Sequence, residues 1–121
     1  MSKRILAIED QEDNRRILRD LLTAKGYDLL EATTGEDGLA AAERERPDLI
    51  LMDIQLPGLD GYEVTRRIKA NAALRHIPII AVTSYALSGD EQKAAAAGCD
   101  SYVTKPFSPR MLLAKIEEYL S

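Results

Sequence analysis

Short apolar runs and segments of helical period alternate along this chain from end to end, and that alternation limits the possible folds more than any other feature. Residues 5–8, 27–32, 49–53, 77–83 and 101–104 read as strands. Leu49, Ile50, Leu51 and Met52 form a continuous apolar run, as a strand covered on both faces requires. Ile77, Ile79, Ile80, Val82 and Thr83 are β-branched. Between the strands, Ile17, Leu18, Leu21 and Leu22 are expected to share one face of a helix that stops at Gly26. Thr34 to Asp37 resembles a capping box opening a helix that Pro47 follows, and Asp60 with Glu63 starts another by the same logic. Ser88 with Glu91 caps an alanine-rich helix that Gly98 ends, while Ser108 and Pro109 supply a cap and a first-turn proline for the last.

Five strand–helix pairs in strict alternation argue for a parallel sheet with helices on both faces. Right-handed crossovers then leave a doubly wound sheet, because 121 residues are too few for an eight-unit barrel. The expected strand order is 2-1-3-4-5, with its switch point between strands one and three. Length places the whole chain, residues 1–121, in one domain with a core that needs no staples.

Hydrophobic content of 45% and charged content of 30% describe a soluble globular protein. The single cysteine, Cys99, excludes an internal disulfide and fits a reducing compartment. Only four apolar residues separate the basic start from Glu9, too few for a signal peptide or a membrane span. A net charge of −4 without a basic block argues against direct nucleic-acid binding. The expected address is the cytoplasm.

Ligands of open parallel sheets bind beyond the carboxyl ends of the strands. There the strands deliver Glu9 and Asp10, then Asp53, then Thr83 and Ser84, and finally Lys105 followed by Pro106. Carboxylates at 4 Å repel by about 4 kcal/mol per pair at intermediate dielectric, so such a cluster holds either protons or a cation. Oxygen donors without His or Cys suit a hard divalent ion, magnesium above all, which completes its shell with water and phosphate. Lys105 adds a positive charge for a phosphate and Thr83 a hydroxyl donor, and together these make a phosphoryl-transfer site with Asp53 as nucleophile.

These residues closely resemble the receiver domain of two-component response regulators. The resemblance lies in the Glu9-Asp10 pair, Asp53 in an LMD-x-x-LPG-x-DG context, the Thr83 position and Lys105-Pro106, and it covers the whole chain in order and spacing. It implies the flavodoxin-like receiver architecture with five helices. It implies that Asp53 accepts a phosphoryl group from a phosphohistidine of a histidine kinase or histidine phosphotransfer protein. Asp10 and Asp53 are then magnesium ligands, with manganese a substitute, Glu9 acting through water and the Gln55 backbone carbonyl completing the set. Lys105 pairs with the phosphoryl group and its bond to Pro106 is cis. Thr83 moves onto a phosphoryl oxygen, the Ser84 amide assists, and Tyr102 rotates inward. Gln55 and Tyr85 flank the path of hydrolytic water. Output passes to a protein partner through the helix 4–strand 5–helix 5 face of a monomer or weak dimer. The chemistry is self-phosphorylation and self-dephosphorylation, not enzymatic turnover; the alternative is a receiver excised from a hybrid kinase, or a phosphate sink.

Blander roles stand beside these. Asp53 taken alone is a turn residue, and Asp10 is expected to cap helix one as well as to bind metal. His76 reads as a surface residue, Cys99 as a small packed hydrophobe, and the alanines at 94–97 as helix formers. A haloacid-dehalogenase-type phosphatase needs a second acid two residues after its nucleophile, where this chain has Gln55. A flavin module needs a phosphate-friendly first loop, whereas residues 9–13 are almost entirely acidic.

Overall fold

A computed structural model describes residues 2–83 and 90–120. The elements run β1 (Arg4–Ile8), α1 (Glu12–Ala24), β2 (Asp28–Ala32), α2 (Gly35–Glu45), β3 (Leu49–Asp53), α3 (Gly61–Ala70), β4 (Ile79–Thr83), α4 (Asp90–Ala97), β5 (Ser101–Thr104) and α5 (Pro109–Leu120). All four strand pairings are parallel and the order is β2-β1-β3-β4-β5. The expected topology holds, with β2 and β4 one and two residues shorter at their starts.

Alternation of side chains divides the core into two layers. Ile5 and Ala7 of β1, with Leu49 and Leu51 of β3, face Leu18 and Leu22 of α1 and Leu112 and Ile116 of α5. Leu6, Ile8, Ile50 and Met52 point the other way, against Ala41 and Ala42 of α2, Val64 and Ile68 of α3 and Ala94 of α4. Each central strand therefore serves two apolar layers, which is why its sequence reads as one unbroken apolar run. Among the described residues no helix is long and apolar enough to cross a membrane.

The caps explain where helices begin. Thr34 Oγ1 accepts from the Asp37 amide at 3.0 Å, Asp60 Oδ1 from the Glu63 amide at 2.9 Å, and Ser108 Oγ from the Met111 amide at 3.4 Å. Ser88 lies outside the described residues. Two expectations about α1 fail. Asp10 is not its cap: the helix starts at Glu12, so the cap position falls on Gln11, whose side chain makes no capping bond. Asp10 sits one residue too early to reach the first-turn amides. Ile17 is not on the buried face either; it is 51% exposed, because the stripe that meets the sheet runs through Leu18 and Leu22.

Gly98 ends α4 with φ +111, and a Cβ there would stand 2.8 Å from Lys69 Cγ. Glycine thus serves both the left-handed turn and the close passage of the lysine stem.

Candidate functional site

The register of the sheet brings the candidate residues level. Ile8 pairs with Met52 and Asp53 with Val82, while Thr83 pairs with Thr104. The first residues beyond β1 and β5 are therefore Glu9 and Lys105, on the same rim as Asp53. Backbone bonds extend the ladder past the strand ends: Glu9 N donates to Ala32 O at 2.9 Å, Ile54 N to Val82 O at 3.1 Å and Lys105 N to Thr83 O at 2.6 Å. The Lys105–Pro106 peptide is cis, as expected.

One carboxylate oxygen from each of Glu9, Asp10 and Asp53 lies within 4.8 Å of the other two. Lys105 Nζ donates to Glu9 Oε1 at 2.7 Å and stands 3.6 Å from Asp53 Oδ1. Asp53 Oδ1 also accepts from the Gln55 amide at 3.0 Å, and Glu9 Oε2 from the Gln11 amide at 3.2 Å. Glu9 and Asp53 are buried, at 3% and 4% exposure, and Thr83 is buried at the end of β4. Asp10 is half-buried.

Burial is the largest influence on both inner carboxyls, and it disfavours their charged forms. At Glu9 the short bond from Lys105, helped by its charge and the Gln11 amide, overrides burial and holds the group below the usual glutamate range. Asp53 is farther from the ammonium. Burial and the neighbouring Glu9 push it up to about 7, against the pull of the Gln55 amide and Lys105. With all groups ionised, three carboxylates face one ammonium, leaving two negative charges uncompensated. That excess and the all-oxygen donor set fit a divalent hard cation.

Asp53 owes its position to the helix that follows. The Gly61 amide donates to Ile54 O at 3.3 Å, and a Cβ on Gly61 would collide with the Asp53 carbonyl. Glycine here lets α3 start directly against the end of β3. Only the DG pair after the Pro-Gly turn hinted at this close approach.

The structure thus gathers Glu9, Asp10, Asp53 and Lys105, with Thr83 on the adjoining strand. Tyr102 is half-buried on β5, packed against the α2–α3–α4 layer. Ser84 and Tyr85 fall outside the described residues. His76 is exposed, as expected. Cys99 is half-buried, its Sγ 3.7 Å from Thr65 Oγ1, and burial pushes its thiol up. The pairing of Lys105 with Glu9 was not legible in the sequence, which offered Lys105 only to a phosphate. The two residues come from strands separated by β3 and β4, so no local pattern couples them.

Residues 5–117 match the response regulator receiver domain model. Over 120 residues the chain is 45% identical to the polar-differentiation response regulator DivK of Brucella anthropi, spanning 99% of this chain and 98% of that protein. DivK of Brucella ovis is 44% identical over the same shares. Among solved structures, the receiver domain of sensor histidine kinase PA1611 from Pseudomonas aeruginosa PAO1, with a magnesium ion coordinated in its active site cleft, aligns with a TM-score of 0.91 at 38% identity over 98% of each chain. Chemotaxis protein CheY4 of Vibrio cholerae aligns with a TM-score of 0.92 at 26% identity, over 98% of this chain and 99% of its own. The strand order, the acid–lysine rim and these likenesses agree, and the chain belongs to the response regulator receiver family of two-component signalling.

Proposed function

We propose that Asp53 is the phosphoacceptor of a magnesium-dependent switch that receives its phosphoryl group from a histidine kinase or histidine phosphotransfer protein. One observation carries the reading: a buried carboxylate, fixed at the end of a central strand, is flanked by two further acids and an ammonium. Asp10, Asp53 and the Gln55 carbonyl would hold the ion, with Glu9 reaching it through water; manganese is an alternative occupant. A bound magnesium ion offsets the excess negative charge and that of the incoming phosphoryl group.

An Asp53 carboxylate oxygen attacks phosphorus; the new P–O bond forms as the P–N bond to the donor imidazole breaks, and that nitrogen takes up a proton. Lys105 moves from Glu9 toward the phosphoryl oxygens, where charge-assisted bonds are strongest. The phosphoryl group adds charge and several acceptors. The Thr83 hydroxyl and the Ser84 amide donate to it, and Tyr102 follows inward, which remodels the face built from α4, β5 and α5. Moving such a surface from mostly off to mostly on takes about 5 kcal/mol of differential interaction, within reach of a few such bonds. Gln55 and Tyr85 set the rate at which water removes the group. The unit acts as one cytoplasmic receiver domain, monomeric or weakly dimeric, whose output is a protein contact.

Intact-mass measurement after incubation with magnesium and acetyl phosphate tests this assignment. The chain should gain the mass of one phosphoryl group and Asp53→Asn should gain none; equal modification of the mutant refutes it.

A further inference from the structure

We propose that Arg15, on the first turns of α1, is a positioning residue for the acid cluster: it fixes the peptide that carries Glu9 and Asp10. The inference rests on reading that cluster as a magnesium site. Two of the three clustered carboxylates hang from adjacent residues, so the orientation of the single peptide between them sets where both point. Arg15 Nη1 donates to the carbonyl of that peptide, Glu9 O, at 3.0 Å. The amide before it, Glu9 N, is held by Ala32 O at 2.9 Å. Strand pairing therefore fixes one side of Glu9 and the guanidinium the other.

A capping side chain would ordinarily steady the turn into a helix, but Gln11 makes no capping bond at the start of α1. The turn is held from inside the helix instead. Arg15 is well placed for that task because it is itself braced. Its side chain is only 13% exposed; Nη2 donates to Glu12 Oε2 at 2.5 Å, and Nε stands 3.6 Å from Glu31 Oε1 on β2. Glu31 is in turn gripped by both ends of the Arg19 guanidinium, at 2.9 and 2.8 Å. A planar fork spreads five N–H donors over three nitrogens, so it reaches a carbonyl and two carboxylates on different sides, whereas an ammonium donates from one nitrogen only. The chain of contacts runs Arg19, Glu31, Arg15, Glu9 carbonyl, and ends one peptide from the proposed ion. Contacts that orient metal ligands from behind are commonly worth about 10- to 100-fold in metal affinity.

The test is magnesium titration calorimetry of the metal-free chain, with the thermal midpoint of each protein measured in parallel. Arg15→Gln should weaken magnesium binding about 10-fold or more, well below the temperature at which it unfolds. Arg15→Lys keeps the charge and one donor nitrogen and should lose a smaller, several-fold factor, which partial rescue distinguishes from a loss of stability alone. Arg16→Gln, whose partner Asp13 is exposed, is the control and should bind as the parent does. Parental affinity in Arg15→Gln, or in Arg15→Lys should Arg15→Gln not fold, overturns the positioning role. Failure of the parent chain to bind magnesium overturns the reading of the cluster instead.

Discussion

The two ends of the parallel sheet handle charge in opposite ways. At the amino end Lys69, Asp100, Arg4 and Glu45 are tied into bonds that join neighbouring elements. Lys69 Nζ donates to Arg75 O, Ile77 O and Asp100 Oδ2, and Asp100 Oδ2 also accepts from the Ile79 amide at 2.8 Å. Tyr119 donates to Asp100 O at 2.8 Å, while Arg4 meets both the carbonyl and the carboxylate of Glu45. At the carboxyl end three acids cluster beside one lysine, which contacts two of them, and burial with the neighbouring Glu9 raises Asp53 to about 7. The amino end spends its polar groups on joining α3, β4, β5 and α5. The carboxyl end keeps an excess of negative charge on oxygen donors, an arrangement that fits a divalent cation.

The largest test of that contrast is to remove the single ammonium from the carboxyl end. Lys105→Met should slow phosphoryl uptake from acetyl phosphate by about 100-fold or more, as loss of a preorganised positive partner does elsewhere. It should also make the folded chain more sensitive to alkali, since Glu9 and Asp53 then face each other uncompensated. Uptake at the parental rate, followed by intact mass, would show that Lys105 serves only Glu9.

The matching cut at the amino end is Asp100→Ala. It leaves the partly buried Ile79 amide without its partner and takes one of three acceptors from the Lys69 ammonium, and should cost about 2 kcal/mol in urea unfolding. Magnesium affinity should stay within two-fold of the parent, about 0.4 kcal/mol by the relation between affinity and free energy. A parallel loss of magnesium binding would mean that the two ends are coupled and the contrast is false.

Asp53→Asn reverses the usual sign of a mutation at a buried polar residue. Asp53 is raised from an ordinary 3.8 to about 7, so between those values the folded chain keeps a proton that the unfolded chain releases. Stability therefore falls as pH climbs from about 4 to about 7, and the penalty is complete above that range. Replacing the carboxyl with a neutral amide should stabilise the metal-free chain at pH 8 by about 2 kcal/mol, with little change below pH 4. Magnesium should then stabilise the parent and not the mutant. Thermal unfolding at the two pH values, with and without magnesium, checks all of this; a mutant destabilised at pH 8 would contradict the burial argument.

These contrasts divide by range as well. Strand order and three helix starts were legible because their causes are local: unbroken apolar runs, and Thr34, Asp60 and Ser108 three residues before the amides they cap. The gathering of Glu9, Asp10, Asp53 and Lys105 was legible too, because parallel strands deposit their last residues on one rim. What pairs with what on that rim was not. The Lys105–Glu9 bond crosses two intervening strands, the collision that demands glycine at 61 arises only once α3 docks, and the guanidinium of Arg15 finds its carbonyl only once the turn closes. Asp10 was misread as a cap because composition marks a helix start only to within a residue or so.

The smallest expected effect tests that last limit on α1 itself. Four apolar residues, Ile17, Leu18, Leu21 and Leu22, suggest a common buried face, yet Leu18 and Leu22 are buried while Ile17 is 51% exposed. One residue along a helix is a rotation of about 100°, so Ile17 and Leu18 cannot both face the sheet squarely. Ile17→Ala removes little buried area and gains helix propensity, and the two contributions nearly cancel. The change in stability should stay within about 0.5 kcal/mol, whereas Leu18→Ala should cost about 2–4 kcal/mol. Urea unfolding of the pair measures the difference directly. Equal losses would put Ile17 back in the core; a silent Ile17→Ala places its side chain on the solvent side of the helix, with Leu18 and Leu22 carrying the buried contact to the sheet.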